Sequence, residues 1–250
     1  MSEFIAGWLA EEEPQQWWDD LPEMPVLGDF KPVTEFPHYY RKPSEWIKIE
    51  HQNGFGSCAG HSNSSCVEIS YYFETGEEIQ LSRWYSYIKA QLIDGIRGDR
   101  GSTISAQGKV ATRHGIPLEE VMPYPSRYSQ SIPPGADDLA AKYKVAQAVR
   151  IQNYEECMDF LRSGLGGVNI GVRWGRGGHA VCITEEEGDG GVKVANSWGE
   201  NWGDGGWFSW SKNELKQKFN ESYTRAVGIT DMVSIEPREV QWEKQGWGMV

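Results

Sequence analysis

Hydrophobic residues follow two different periods along the chain. In the first half they recur near every 3.6 positions, in segments that Gly95 and Gly115 bring to an end, and this pattern is typical of helices. Helices are predicted over 58–73, 81–95, 103–114, 137–147 and 153–163. Ser57 stands at the N-cap position of the first of these helices.

After about residue 165 the pattern changes to short β-type runs separated by glycine-rich turns. Strands are predicted over 168–172, 179–183, 191–196 and 206–211. Helices that are followed by strands indicate two lobes of different class, and therefore an α+β fold.

Residues 1–50 differ in character from the rest of the chain. Acidic and aromatic residues cluster in 11–20, and the prolines that follow favour extended chain over long helices. We expect an irregular arm that packs on the folded body through Trp8, Trp17 and Trp18. A partly disordered tail is the alternative.

Composition and charge narrow the class of protein. The 250 residues are 39% hydrophobic and 24% charged, as in a globular chain. A net charge of −12 without a run of Lys and Arg argues against nucleic-acid binding. The N-terminus lacks a signal-peptide pattern, and no apolar run approaches the roughly 18–20 residues that span a membrane. We expect a cytoplasmic protein whose four cysteines stay reduced and whose partners include neither nucleic acid nor membrane.

Cys58 is the first candidate for chemistry. A cysteine attacks as its thiolate, and the free N–H groups and the dipole of a helix N-terminus stabilise that anion. Cys58 meets this requirement because it follows the glycine-rich segment 54–57 and precedes a predicted helix. Gln52 could act with the Cys58 N–H as an oxyanion hole. The residues alone equally allow a buried structural cysteine in a turn.

His179 and Asn196 form the second candidate. His179 begins an apolar strand, a position at which a lone histidine is more often structural. Asn196 follows 17 residues later and opens a run of small and aromatic residues that continues to Trp207. That run is too specific to arise by chance, so it favours a functional histidine.

Three segments of the chain together resemble the papain-like family of cysteine peptidases. They are Gln52 and Cys58 separated by five residues, Gly178-His179-Ala180 before a strand, and the Asn-Ser-Trp-Gly motif from Asn196 to Trp207. The resemblance covers about 45–230. It implies a papain-like α+β fold, with a peptidase domain over 51–235 and a tail over 236–250. A cleft is expected between a helical lobe (about 53–130) and a β-rich lobe (about 131–235).

The resemblance also implies a role for each matched residue. Cys58 attacks the scissile carbonyl of a protein or peptide substrate. His179 takes the thiol proton and later protonates the leaving amine, while Asn196 fixes the orientation of the imidazole. Gln52 contributes to the oxyanion hole, and Trp198 shields the bond between asparagine and histidine from water.

Two glycines are expected to bind the substrate main chain, namely Gly101 and Gly178. The family needs no cofactor or metal, and its members are usually monomers. Two other functions remain open, an amidase or acyl transferase acting on a non-protein or cross-link substrate, and an inactive binding protein. The arm over 1–50 is either a propeptide-like segment in the cleft or an extension packed on the back of the protein.

The chain departs from the family pattern beside the nucleophile. Ala59 replaces the usual tryptophan, and Phe55 stands where the family has a disulfide cysteine. We therefore interpret the chain as a divergent microbial or phage-type relative without the framework disulfides, for which a phage or virion origin is possible. His61, three residues after Cys58, either tunes the thiolate or specificity or simply packs under the cleft. Its spacing from the cysteines fits no usual zinc pattern.

Overall fold

The computed structural model describes residues 7–10, 13–19, 21 and 40–233. The helices are α1 (Gln15–Asp19), α2 (Cys58–Thr75), α3 (Arg83–Asp94), α4 (Ile104–Lys109), α5 (Ala136–Ala140), α6 (Tyr154–Arg162) and α7 (Lys212–Asn220). The strands are β1 (Val145–Ile151), β2 (Val168–Trp174), β3 (Gly177–Glu187), β4 (Gly191–Ala195), β5 (Trp207–Trp210) and β6 (Arg225–Met232). A single π-turn, Val110–His114, continues α4.

The strands form one antiparallel sheet in the order β1-β6-β2-β3-β4-β5. Alternate residues of a strand face opposite sides, so the sheet separates two apolar cores. Ala180 and Cys182 of β3 pack with the helices of the first half of the chain. Val181 and Ile183 pack with α6 and α7 on the other side. The predicted α+β arrangement of a helical and a β-rich part is confirmed.

Helix α2 lies between the helical part and the sheet, and nearly all of it is buried. Many of its side chains are polar, so hydrogen bonds have to compensate their desolvation. The Ser62 hydroxyl donates to the Asn169 side-chain oxygen of β2 at 2.7 Å. Glu68 forms a bidentate ion pair with Arg83 of α3, in which each carboxylate oxygen accepts one guanidinium N–H. These directional contacts explain how a helix with weak intrinsic propensity keeps one orientation.

The ends of α2 have clear local causes. The helix ends at Gly76, whose left-handed backbone (φ +73°) lets its N–H bond to the Tyr72 carbonyl. Ser57 is the N-cap residue, but its side chain makes no capping bond. The Ser57 hydroxyl lies 2.6 Å from the Tyr124 hydroxyl instead. The predicted cap therefore has the right position and a different partner.

One predicted helix is wrong in its second half. The pattern over 137–147 favours a helix, yet α5 ends at Ala140 and β1 begins at Val145. Residues such as Ala, Lys and Gln favour a helix locally, but β1 is held by pairing with β6, about 80 positions away along the chain. Strands β1 and β6 were both missed for this reason.

The other predicted elements agree closely with the structure. Helices α2, α3, α4 and α6 and strands β2, β3, β4 and β5 lie where the sequence places them, within a few residues at each end. The predicted tail over 236–250 falls outside the described residues.

Candidate active site

Cys58 is the first residue of α2, as its sequence context predicts. Its side chain is fully buried, and its sulfur accepts a hydrogen bond from the main-chain N–H of Ala180 at 3.4 Å. Burial raises the pKa of the Cys58 thiol to about 11, although main-chain hydrogen bonds from Ala180, Gly7 and Ala59 oppose that shift. Burial therefore favours the neutral thiol over the thiolate at pH 7.

His179 lies on β3 next to Ala180, so the strand that contacts the Cys58 sulfur also carries the imidazole. The His179 Nε2 and the Asn196 Oδ1 are 2.8 Å apart. Because an amide oxygen can only accept, Nε2 carries the proton and Nδ1 is left as the basic nitrogen. Nδ1 is buried and has no hydrogen-bond partner among the described residues.

Burial also controls the charge of this histidine. It lowers the pKa of His179 to about 4, against the opposing effect of the hydrogen bond with Asn196. The side chain is 1% exposed. Burial of both groups therefore favours the neutral imidazole and the neutral thiol over the charged pair.

An aromatic wall covers the pair of His179 and Asn196. The Trp198 ring stacks on the imidazole with centroids 4.4 Å apart and planes inclined by 21°. Trp174 at the end of β2 meets the same imidazole edge-on at 5.6 Å. Trp198 thus lies against the imidazole, and its shielding role stays a prediction. Trp174 was missed, and the signal for it is an aromatic residue on the strand that precedes the histidine strand.

Gln52 connects the loop before Cys58 with the loop after Asn196. Its side-chain oxygen accepts from the Ser197 hydroxyl at 2.8 Å, and its amide nitrogen donates to the Phe55 carbonyl at 2.6 Å. The side chain is buried. Gln52 is therefore bonded to both loops, and Ser197, which the sequence did not single out, holds its side-chain oxygen. Its part in an oxyanion hole stays a prediction.

His61 supports the loop that leads into α2. Its Nδ1 lies 3.0 Å from the Ser57 carbonyl, and its ring meets Tyr124 edge-on at 5.0 Å. Burial lowers the pKa of His61 to about 3, so the ring is neutral. This arrangement favours packing under the cleft over a charged partner for Cys58.

The N-terminal segment 7–9 lies in the cleft between the sheet and the helical part, directly over Cys58. Trp8 donates its N–H to the Gly178 carbonyl, and Leu9 donates to the Ser102 carbonyl, both at 3.2 Å. Ser102 in turn donates to the Gly7 carbonyl at 2.9 Å. The segment thus bonds to both sides of the cleft, one residue away from His179 on the sheet side.

The glycines predicted to bind a substrate main chain contact this segment. A Cβ atom placed on Gly178 would lie 2.3 Å from the Trp8 carbonyl oxygen, and one on Gly101 would lie 2.2 Å from the Gly7 oxygen. Gly101 also has a left-handed backbone (φ +96°), which favours glycine. The hydrogen bonds at the Gly101 side come from the neighbouring Ser102.

The partly buried carboxylate of Glu13 binds the segment at its far end. One oxygen accepts from the Trp8 indole at 3.0 Å, and the carboxylate also accepts from the main-chain nitrogens of Ile104 and Ser105 at the start of α4. The Trp18 indole donates to the second oxygen at 3.3 Å. The sequence pointed to the tryptophans of the arm, but not to the acid that binds them.

Trp8 and Trp18 are each 3% exposed, and Trp17 packs against Gly108 of α4. The docking expected of these three tryptophans is therefore present. The larger part of the arm, including 22–39, lies outside the described residues. Within the described ranges there is no group of three His, Cys, Asp or Glu side chains suited to a metal ion, and no helix long and apolar enough to cross a bilayer.

The chain is similar to known proteins in sequence and in fold. It is 26% identical to zingipain-2 of Zingiber officinale over 202 residues, which are 70% of this chain and 86% of that protein. No family profile matches it.

Solved structures of cysteine proteases superpose on most of the chain. Xylellain, a cysteine protease from Xylella fastidiosa, matches with a TM-score of 0.64 and 19% identity, covering 91% of this chain and 96% of that one. The ragweed pollen cysteine protease Amb a 11 in its proform matches with a TM-score of 0.66 and 16% identity, covering 92% and 77%. A cysteine protease from Carica candamarcensis, solved with E-64, matches with a TM-score of 0.59 and 19% identity, covering 77% and 98%. The predicted resemblance to papain-like enzymes and the papain-like fold are confirmed.

Proposed function

We propose that this protein is a cysteine peptidase that hydrolyses peptide bonds through a thioacyl-enzyme on Cys58. The observation that carries the proposal is the hydrogen bond between His179 Nε2 and Asn196 Oδ1, which leaves Nδ1 as the base on the strand that touches the Cys58 sulfur. The similarity to cysteine proteases supports the same class of enzyme. No observation favours an amidase, an acyl transferase or an inactive binding protein.

In the proposed reaction, His179 Nδ1 takes the proton of Cys58, and the thiolate attacks the scissile carbonyl carbon. The helix N-terminus and the Cys58 N–H stabilise the thiolate and then the oxyanion, together with the Gln52 amide. His179 returns the proton to the leaving amine as the C–N bond breaks. Water, deprotonated by the same nitrogen, then cleaves the thioester and restores the thiol. Asn196 keeps the imidazole in the required tautomer throughout.

The substrate is proposed to be a protein or peptide that binds as an extended strand. The segment 7–9 supports this, because it uses the Ser102 main chain on one side of the cleft and the Gly178 carbonyl on the other. These are main-chain bonds that any extended peptide can make. The net charge of −12 favours basic peptides over nucleic acid, and we propose that the protein acts as a monomer.

We further infer that the segment 7–9 keeps the enzyme latent. It occupies the place of a substrate strand over a fully buried Cys58. The neutral thiol and neutral imidazole that burial produces agree with an inactive conformation. Removal of the segment would admit both water and substrate.

The test is stoichiometric labelling with a cysteine-directed epoxide, read by intact mass. The full chain is compared with a chain lacking residues 1–40, each with and without Cys58→Ala. We expect slow labelling of the full chain, fast labelling of the shortened chain at one site, and none in the Cys58→Ala forms. Labelling that persists in Cys58→Ala, or its absence from a folded shortened chain, would contradict the proposal.

A variant of the full-length chain tests the same inference in case the shortened chain does not fold. A side chain at position 7 would meet the Gly56 carbonyl oxygen at 2.1 Å. Gly7→Ala should therefore displace the segment without shortening the chain. Faster labelling and new peptide hydrolysis are expected from this variant as well.

A further inference from the structure

Two thiols outside the catalytic set meet between α2 and β3. The sulfur atoms of Cys66 and Cys182 are 3.3 Å apart. A disulfide bond is about 2.0 Å long, so bonding requires an approach of about 1.3 Å. The two residues are 116 positions apart in the chain, and their spacing in the sequence does not predict that they meet.

The pair lies in an enclosed apolar setting. Cys66 is 0% and Cys182 is 1% exposed. A Cβ atom placed on Gly167 would lie 3.2 Å from each sulfur and 3.0 Å from the Ile69 side chain, so the main chain at Gly167 closes over both sulfurs. Burial, followed by the neighbouring Cys182, raises the pKa of the Cys66 thiol. Exchange with an oxidant is therefore favoured while the chain folds or opens locally, before the thiols are sealed from water.

We propose that Cys66 and Cys182 form an intramolecular disulfide when the chain folds in the presence of a small disulfide oxidant of the glutathione type. The first cysteine attacks the oxidised glutathione and forms a mixed disulfide, with release of one glutathione thiol. The second cysteine attacks the mixed disulfide and releases the other glutathione. The two cysteines lose two electrons, the oxidised glutathione gains them, and the two protons leave on the glutathione thiols.

The bond would join the two elements that carry the reacting groups. Cys66 lies eight residues after Cys58 on α2, and Cys182 lies three residues after His179 on β3. The closed loop exceeds 100 residues, so the bond would restrict the unfolded chain strongly. In a reducing compartment the same residues remain two packed thiols. The inference concerns stability and does not depend on peptidase activity.

The test uses the full chain with Cys58→Ala, which keeps the thiols of Cys66, Cys157 and Cys182. The protein is refolded in glutathione redox buffer, then unfolded in guanidinium with an alkylating reagent and weighed intact. The reduced protein takes three alkyl groups. We expect the oxidised protein to take one, and proteolysis under non-reducing conditions to release one peptide pair that contains Cys66 and Cys182.

Single variants identify the bond. Cys157 is buried in α6, and its substitution provides the matched control. With Cys157→Ala the bond should form and no alkyl group be taken up, whereas Cys66→Ala and Cys182→Ala should each abolish the cross-linked peptide. Oxidation should raise the melting temperature by about 10 °C, reversibly with a dithiol reductant, and this rise should vanish in Cys66→Ala and Cys182→Ala.

The assay is repeated on natively purified protein held in the redox buffer just below its melting temperature, so that poor refolding cannot decide the result. Folded protein that takes three alkyl groups in both procedures would overturn the proposal. A bond that involves Cys157 would overturn it equally.

Discussion

The indole of Trp198 lies parallel to the imidazole of His179, with ring centroids 4.4 Å apart. Its neighbour Asn196 is only 5% exposed, and Trp198 itself is equally buried. A hydrogen bond that is kept from water is stronger than one exposed to it, so this stack should strengthen the bond that orients the imidazole.

Replacement of that ring should reduce catalysis more than folding. We expect Trp198→Ala, in the chain freed of its arm, to lower kcat about fivefold, since an aromatic pair contributes about 1 kcal/mol beyond its buried area. Trp198→Phe should lose less. The measurement is peptide hydrolysis over a range of substrate concentrations.

The matched control for that experiment is Trp46→Phe, because the Trp46 ring also lies 4.4 Å from an aromatic ring, that of Tyr72 near the other end of α2, with the planes inclined by 31°. Its kcat should be unchanged. An equal loss of activity in this control and in Trp198→Phe would mean that Trp198 acts only through stability.

The pH dependence of Cys58 reactivity should report whether the cleft is closed. In the full chain burial holds the pKa of Cys58 near 11 and that of His179 near 4, so the thiolate fraction falls about tenfold for each pH unit below 11. Alkylation by a neutral reagent should therefore rise steadily from pH 6 to pH 9 without a plateau.

Removal of the arm should change that profile. Water then reaches both groups, which lowers the pKa of Cys58 and raises that of His179 until the charged pair becomes the stable form. Alkylation should then level off within pH 6 to 9. Identical profiles for the two chains would contradict the inferred latency.

The anchor of the arm at Glu13 gives a second way to open the site. Its carboxylate accepts from the Trp8 and Trp18 indoles and from two main-chain nitrogens of α4. Glu13→Gln places an N–H group among these donors, so we expect Cys58 labelling to accelerate by at least about fivefold. The cost of one buried unsatisfied group, about 1–3 kcal/mol, sets that scale.

The control for Glu13→Gln is Asp19→Asn, which removes a negative charge from an exposed side chain of the same arm. Its labelling rate should equal that of the original chain. Acceleration by both variants would point to net charge, and acceleration by neither would remove Glu13 as the anchor.

The ion pair between Glu68 and Arg83 should matter for stability because both side chains are only 2% exposed. Arg83→Met leaves a buried carboxylate without its cation, so we expect a loss of about 3–5 kcal/mol in the free energy of unfolding. The double variant Glu68→Met with Arg83→Met should lose less than Arg83→Met alone. Denaturant titration followed by circular dichroism measures both.

An ion pair on the surface provides the comparison for the buried pair of Glu68 and Arg83. Arg162 and Glu186 bond at 2.6 Å with side chains 40% and 32% exposed. Arg162→Met should cost no more than about 1 kcal/mol, because water screens an exposed pair. A similar cost for both arginines would show that burial of the Glu68 pair adds nothing.

The catalytic candidates could be read from the sequence because each one sits in a local pattern. Cys58 follows a glycine-rich loop and starts a helix, His179 begins one predicted strand, and Asn196 ends another. Local patterns failed where distant parts of the chain decide the outcome. The strand over Val145–Ile151 has a helix-like composition, and only its pairing with Arg225–Met232 makes it a strand.

The arm illustrates the same limit. Its tryptophans predicted docking, but the contacts of Gly7 with Gly56 and of Glu13 with α4 join positions from about 50 to 90 residues apart. The contact between Cys66 and Cys182 could not be predicted from the sequence for the same reason, since the thiols meet only when α2 packs on β3.

The segment 7–9 belongs to the same chain as the cleft in which it lies. A substrate peptide therefore competes with a tethered ligand and not with a free one. A tethered strand acts at an effective concentration that its linker determines, commonly in the millimolar range, whatever the dilution of the protein. A free peptide of equal intrinsic affinity must exceed that value to displace it. Under the proposed latency, dilution alone would leave the segment bound, whereas a single cut in the linker would make it a free ligand that dilution can remove.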